Sequence, residues 1–240
     1  MDLKNIIIGI VIVLLIYFIY IWVFSDNTRT NLLGMHNAKK KKVIDSDNLP
    51  QGSSADYTYS MWVYISNWNY RAGESKTILS RNNSDGKSAP HISLGANLNN
   101  IEVSLATYSS NSNNSEMHSC TLDNIPLQTW AHVLVTLNNR ALDLYLDGKL
   151  VRTCVLPGVP KQSTGQPLVI CGDSNENSPG GFDGYVSNIN YLSRPVNPRE
   201  AYAIYREGPG GSNWFTNVFN KYRLKVAFMK DSREVNSFEI

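Results

Sequence analysis

The chain has 240 residues, enough for one apolar anchor and one β-sandwich of ordinary size, and carries a net charge of +2 with 18% charged residues. So even a balance excludes the broad positive field that nucleic-acid binding needs. Its three cysteines (Cys120, Cys154 and Cys171) have no CxxC spacing, which argues against a zinc site or a dithiol redox motif, while 13 Tyr and 5 Trp beside abundant Asn and Ser suit a β-protein with polar loops.

Ile6 to Phe24 (IIIGIVIVLLIYFIYIWVF) holds no charge. It is long enough to cross about 30 Å of hydrocarbon as a helix, so it predicts a transmembrane anchor over 1–24 and a single-pass membrane protein. A cleaved signal peptide is the competing reading, against which stand the length of the run and the lack of a small-x-small site after it. Tyr17, Tyr20 and Trp22 stand where interfacial aromatics belong, and the lone Gly9 makes no GxxxG pairing motif. Lys4 and the α-amino group, offset by Asp2, precede the span; Arg29 and Lys39 to Lys42 follow it. The positive-inside rule then favours the rest of the chain on the cytosolic side, although the lysines lie at the edge of its range. The lysine run reads either as a solvated linker or as attraction to an anionic leaflet. Residues 25–55, without apolar periodicity, read as a flexible basic tether that would let a folded domain stand off the bilayer.

A folded domain is expected over 56–209. Tyr57 to Ile65 alternates as a strand, and Lys76 to Arg81, His91 to Leu94, Ile101 to Tyr108 and Met117 to Leu122 read as further strands. Between the first two, Ser66 to Ser75 is a loop bearing Trp68, Tyr70 and Arg71, candidates for stacking on a sugar ring and for hydrogen bonds to its hydroxyls. The plainer reading is that Trp68 caps the edge of the sandwich. From Trp130 to Val155 the period is two. Ala131, Val133, Val135 and Leu137 face one way and His132 and Thr136 the other; Leu142, Leu144 and Leu146 alternate with Asp143 and Tyr145; Asp147-Gly148 is a two-residue turn signal before a strand from Lys149. Cys120 and Cys154 flank this hairpin and are bonded if their strands are neighbours, or else are buried thiols; Cys171 reads as core in either case. Asn82 and Asn113 begin N-glycosylation patterns, which matter only on a lumenal domain. In the tail, 210–240, Trp214, Phe215, Val218, Phe219 and Tyr222 have helical spacing over Asn213 to Tyr222, and Arg223 to Met229 with Glu234 to Ile240 predicts a hairpin. This tail either docks on its own sandwich or offers Trp214, Phe215 and Phe219 to a protein partner.

Trp130-x-His132-Val133, followed by Leu144-Tyr145-Leu146-Asp147-Gly148-Lys149-Leu150-Val151, resembles the central hairpin of laminin-G-like domains in the concanavalin A-like jelly-roll superfamily. GFDGYVSNINYLSRPVNPREAYAIYREGP, Gly181 to Pro209, resembles their closing strand and short helix. The resemblance implies an all-β fold: a two-sheet antiparallel jelly-roll sandwich, here preceded by one transmembrane α-helix. It implies less about function, since the superfamily holds lectins, glycanases, adhesion modules and structural domains.

A glycanase of this kind needs two carboxylates flanking the scissile bond, and only the isolated acids Glu102, Asp123 and Asp143 fall on candidate strands. His91, His118 and His132 have no motif partner for nucleophilic catalysis, and His36 falls in the expected tether. No enzyme activity and no cofactor are expected. Calcium is the one ion the resemblance suggests: Asp173, Asn175, Asn177 and Asp183 make an oxygen-rich loop, but without an EF-hand register, and Asp183 is equally explained by a turn. Two functions remain. One-helix anchors followed by such a domain look similar to membrane proteins of large nucleocytoplasmic DNA viruses. That likeness implies a structural virion component, a minor capsid or membrane protein on the virion internal membrane that links it to capsid proteins on the cytosolic side. The alternative is a lectin or adhesion module displayed outside a membrane, with a glycan partner.

Overall fold

The computed structural model describes residues 9, 11–19, 28–49, 55–108, 115–163, 165–172, 180–210, 225–230 and 233–239. In chain order the strands are β1 (Arg29–Leu33), β2 (His36–Asn37), β3 (Lys42–Ile44), β4 (Tyr57–Asn67), β5 (Lys76–Asn82), β6 (Ser88–Leu94), β7 (Asn100–Tyr108), β8 (Ser115–Asp123), β9 (Trp130–Asn138), β10 (Ala141–Leu146), β11 (Lys149–Val155), β12 (Leu168–Ile170), β13 (Asp183–Leu192), β14 (Lys225–Lys230) and β15 (Arg233–Glu239), with the helix α1 (Pro198–Tyr205) after β13. The first sheet runs β1-β13-β4-β9-β10-β11, with β2 also on β13; the second runs β3-β12-β5-β6-β7-β8. All these pairings are antiparallel.

The alternation read from the sequence sorts the side chains between the two faces. Ala131, Val133, Val135, Leu137, Leu142 and Leu144 enter one continuous core between the sheets, with Met61, Val63 and Ile65 of β4 and Ile101, Val103 and Leu105 of β7. Cys171 belongs to it too, and burial pushes its thiol up to about 12. The outer face of the first sheet is covered in part by α1, whose Ala201 and Ile204 pack on Leu134, Tyr145, Leu192 and Val196. Asn197 caps that helix by accepting from the Glu200 amide at 2.9 Å, and Pro198 fills the first turn, where no amide is needed. The Asp147-Gly148 turn sits under the helix with both residues at positive φ, 49° and 73°. A Cβ at Gly148 would lie 2.9 Å from Tyr205 Cβ and 3.0 Å from Tyr202 Cδ2, so the turn needs glycine for its backbone and for its contact.

Beneath α1 the outward residues of β4 and β9 form a buried polar layer. Thr58 and Thr136 hydroxyls are 2.8 Å apart, and Ser60 Oγ lies 2.9 Å from His132 Nε2, whose ring packs against Trp62 and Tyr205. His132 is fully buried and its Nδ1 has no hydrogen-bond partner. Burial, with the positive charge of Arg29 adding to it, pushes His132 down to about 3.

Residues 25–55 are not a tether from end to end. β1 pairs with β13, Arg29 opposite Leu192, β2 continues along it with Asn37 opposite Tyr185, and β3 pairs with β12 in the other sheet. The domain therefore starts near Thr28 rather than 56, and Arg29 is tied to Glu207 at 2.6 Å and to Asn190 at 3.3 Å. Short strands at a sheet edge need few apolar residues and carry charge, so they leave no periodic signal.

Gly9 and residues 11–19 are helical with exposed side chains. Among the described residues no helix is long and apolar enough to cross a membrane, and the rest of the predicted span lies outside them. In the tail, β14 and β15 pair with each other, Lys225 opposite Glu239, as the expected hairpin. The predicted helix 213–222, with Trp214, Phe215 and Phe219, lies outside the described residues.

At the sandwich edge opposite β1 and β3, Cys120 of β8 is bonded to Cys154 of β11, with Cα atoms 6.2 Å apart and a sequence separation of 34. The bond joins the last strand of one sheet to the last strand of the other. Cys154→Ala should lower stability by about 3–4 kcal/mol from loop closure, read as a shift in urea midpoint relative to the oxidised chain; an unchanged midpoint would show the edge is held without the bond. His132 sets a second expectation. Unfolded it titrates near its ordinary 6.5, folded only near 3, so its contribution is complete above pH 6.5 and is lost as pH falls, by about 1.4 kcal/mol per unit. Urea unfolding between pH 6.5 and 4.5 should therefore be flatter for His132→Phe than for the parent chain.

Candidate functional site

The loop after β4 is built by its own short-range bonds. Asn67 Oδ1 accepts from the Asn69 amide at 3.0 Å, the Ala72 amide donates to Asn69 O at 3.2 Å, and the Glu74 amide donates to Arg71 O at 3.2 Å. Arg71 is held at φ 53°, a left-handed conformation uncommon for an arginine. Its guanidinium donates to Glu74 Oε2 at 2.8 Å and to Gly181 O at 3.3 Å, so the donors expected for a sugar are engaged within the protein. Trp68 is half-buried against the core, and Tyr70 lies under the Lys39 ammonium at 4.9 Å. The structure brings the three sequence-predicted residues to one pole of the sandwich and adds two lysines to them.

Those lysines differ in exposure. Lys39, from the presumed tether, pairs with Asp183 at 3.1 Å. With its carboxylate so engaged, Asp183 is a poor calcium ligand; Asp173, Asn175 and Asn177 lie outside the described residues, and among the described residues no group of three acid, His or Cys side chains could hold a metal. Lys76 is only 1% exposed, its Nζ has no hydrogen-bond partner, and it sits 4.7 Å from the Trp68 ring centroid. Desolvation first, then the nearby Arg71, lowers the Lys76 pKa from its ordinary value.

Beside this pole the outer face of the first sheet carries a row of aromatic rings. Tyr185 pairs with Tyr64 across β13 and β4, and Tyr64 with Trp130 across β4 and β9. Val63, Ile65, Ala131 and Val186, their chain neighbours, enter the core, so the three rings point outward from adjacent strands. Tyr64 and Trp130 centroids are 5.5 Å apart, and Tyr185 is 42% exposed. Gly184 allows β13 to approach β4 here, since a Cβ on it would fall 1.9 Å from Tyr64 O. The row is continuous with the pole: the Ala38 amide donates to Gly184 O at 3.0 Å, which sets Lys39 and Asp183 beside it. Tyr64 and Trp130 are half-buried. The sequence reading missed all three, and the signal available was their place out of phase with the core positions of the same strands.

The lysine run lies at this same pole, at the other end of β13 from Arg29, and its first member is bonded to the domain. All four lysines are exposed, and the run belongs to the folded domain rather than to a free linker. For Lys76, replacing a buried ammonium that has no acceptor with an apolar chain of like length should not weaken the fold. Lys76→Met is expected to leave stability unchanged or raise it by about 1 kcal/mol in urea titration. A loss of similar size would mean that the ammonium has an acceptor in the folded chain.

Several solved structures share the architecture at low sequence identity. The receptor-binding domain of botulinum neurotoxin D aligns over 76% of this chain and 46% of its own, with TM-score 0.55 and 17% identity. The serotype D ligand-binding domain in complex with N-acetylneuraminic acid gives 0.53 and 17%, over 76% of this chain and 44% of that one. The neurotoxin DC binding domain in complex with rat synaptotagmin II gives 0.51 and 14%, over 70% and 40%. The chain thus spans less than half the length of each of these proteins, and at such identities the likeness is one of fold. No curated protein sequence matches. A laminin-G-type family model, described as that of the concanavalin A-like lectin/glucanases superfamily, matches residues 38–201. Its start at Ala38, well before Asp56, takes in β3, and the match includes strands of both sheets, the Asp147-Gly148 hairpin and the first half of α1. The chain belongs to the concanavalin A-like lectin/glucanase superfamily.

Proposed function

We propose that this is a non-catalytic recognition module that binds carbohydrate on the outer face of its first sheet and is held at a membrane by residues 6–24. The observation that carries this reading is the Tyr185, Tyr64 and Trp130 row. A pyranose ring has a face of C–H bonds that packs on aromatic rings, and one such contact is weak, so ligands of this kind favour several rings side by side. The Lys39–Asp183 pair and the exposed Asn37 at the border supply donors and acceptors for hydroxyl groups. That a neighbour of this fold is known in complex with N-acetylneuraminic acid is consistent with such a ligand.

Catalysis lacks an arrangement to support it among the described residues. The Ser60–His132 contact is sealed beneath Tyr205 and Trp62, and no acid orients the imidazole. Asp143 accepts from Thr153 Oγ1 at 2.6 Å and Asp123 faces Arg152 at 3.8 Å, so these acids are engaged on the surface rather than paired across a cleft.

The Cys120–Cys154 bond favours an oxidising compartment, and so a domain on the lumenal or outer side of its membrane. It weighs against the cytosolic, capsid-facing placement that the distribution of lysines suggests. The capsid-linking role depends on that placement, and the lectin-like role on its opposite.

A glycan array probed with the full-length chain in detergent tests the reading. Tyr185→Ala with Trp130→Ala should weaken binding about tenfold or more while Trp68→Ala has a small effect. A flat response across the array, or equal loss with Trp68→Ala alone, would remove the outer-face row from consideration. Protease protection in sealed microsomes, scored with glycan addition at Asn82 and Asn113, tests the placement independently: protection supports the outer side and digestion the cytosolic one.

A further inference from the structure

The loops that close the sandwich at its Asp183 end carry charge and apolar surface that the fold does not use. Lys40, Lys41 and Lys42 are exposed, and none of them has an ion pair among the described residues. A Cβ added to Gly172 would meet Lys41 Cγ at 2.6 Å, so the run is laid against the domain. The acids at this end are already engaged: Asp183 with Lys39 at 3.1 Å, Glu74 with Arg71 at 2.7 Å and Asp123 with Arg152 at 3.8 Å. Asp147 accepts the His132 amide at 2.9 Å and is offset by Lys149 of the same turn. Three cations are left over, and setting Asp173 and Glu176 against them, which lie outside the described residues, still leaves one.

Two leucines stand out from the same end. Leu98, in the turn between β6 and β7, is 70% exposed, and Leu127, in the connection from β8 to β9, is 41% exposed. Their loops are fastened to each other: the Asn124 amide donates to Asn99 O at 2.9 Å, and Asn99 Nδ2 donates to Ile125 O at 2.7 Å. They are fastened to the rest of the pole as well, by the Gly73 amide to Ala96 O at 3.2 Å and the Gln128 amide to Ile65 O at 2.9 Å. The turn bearing Leu98 lies three to four strands from β3, or roughly 14–19 Å, so leucines and lysines can meet one flat surface together. The chain enters the domain at the opposite end, where Arg29 faces Leu192, and the ten residues of β13 put roughly 30 Å between the two ends.

We infer that this pole docks onto the anionic phospholipid surface of a membrane other than the one that holds the anchor, so that the domain bridges two bilayers. The bridging geometry rests on the proposed anchor over 6–24; the docking itself does not. An anionic leaflet attracts each lysine brought near it, and its headgroup layer admits apolar side chains that project from the same face. The leucines decide the class of partner. A sulfated polysaccharide would engage the lysines and leave Leu98 and Leu127 in water, whereas lipid takes both. The lysine run, close after the predicted span in sequence, is thus carried by β1 and β2 to the end of the domain that points away from the anchor.

The full-length chain reconstituted in phosphatidylcholine vesicles, then mixed with labelled protein-free vesicles of phosphatidylcholine alone or with about 30% phosphatidylserine, tests the docking. The phosphatidylserine vesicles should be captured and the others not, with capture falling as salt is raised. Lys40→Glu with Lys41→Glu should lower capture about tenfold or more, and Leu98→Ala with Leu127→Ala about threefold or more, thermal melting confirming that each variant folds. Tyr185→Ala with Trp130→Ala should leave capture unchanged, which separates the docking from carbohydrate binding at the outer-face row. Flotation of the chain with its own vesicles after alkaline extraction reads the anchor independently. For a chain that does not float, co-sedimentation with the same two kinds of labelled vesicle reads the docking by itself. The inference is overturned if both kinds of vesicle are captured alike, if charge reversal leaves capture unchanged, or if the Tyr185 and Trp130 substitutions abolish it. Capture that ignores the loss of both leucines overturns it too, and assigns the lysines to a soluble polyanion such as a sulfated polysaccharide.

Discussion

Two sheets laid face to face bury their inner surfaces readily, but each also ends in strands with one row of amides and carbonyls unpaired. How those edges are secured determines much of this molecule. On one side a single stretch of chain does it: β1 and β2 run along β13, then the chain crosses and adds β3 to the other sheet. On the other side β8 and β11 are joined by the Cys120–Cys154 bond, helped by Arg152, which donates to Thr121 O at 3.2 Å and Thr121 Oγ1 at 3.0 Å. One edge is thus closed by a continuous backbone and the other by side chains.

The parts legible in the sequence were those written in local order. The β9 to β11 meander could be read because its apolar positions alternate over three successive strands and its turn needs residues that tolerate positive φ. The short helix after β13 was expected only through the resemblance of Gly181 to Pro209, and its cap, Asn197 followed by Pro198 and Glu200, was not read. The edge strands were not legible, being short and polar and stabilised by partners more than a hundred residues away. The aromatic row was hidden for a different reason. Each of Tyr64, Trp130 and Tyr185 is an ordinary outward residue of its own strand, and only the register across β13, β4 and β9 makes them neighbours. Lys76 was hidden by residue type, since nothing in a lysine announces that it is buried with a group left unmatched.

The outer face of the first sheet is divided in two. Toward the Arg29 end, α1 lies over Leu134, Tyr145 and Leu192, and many of the polar groups there bond to one another: Thr58 to Thr136, Ser60 to His132, and Asn31 and Asn190 to Asn188. Toward the Asp183 end the same strands carry the aromatic row, with Tyr185 exposed and Tyr64 and Trp130 half-buried. A single surface is therefore structural at one end and available at the other, and the Asp147-Gly148 turn, packed against Tyr202 and Tyr205, stands near the division.

The course of β1 gives the domain a mechanical character. Its first residue meets the end of β13 at Leu192, and the chain then runs back along that strand to Asn37 opposite Tyr185, beside the aromatic row. If the chain is held at Thr28 and a ligand is held at the row, tension runs parallel to the strands. The β1–β13 hydrogen bonds are then loaded together in shear, with the Arg29–Glu207 ion pair at the point where force enters, rather than being opened one at a time as when an edge strand is peeled sideways. A domain threaded in this way is suited to hold under traction.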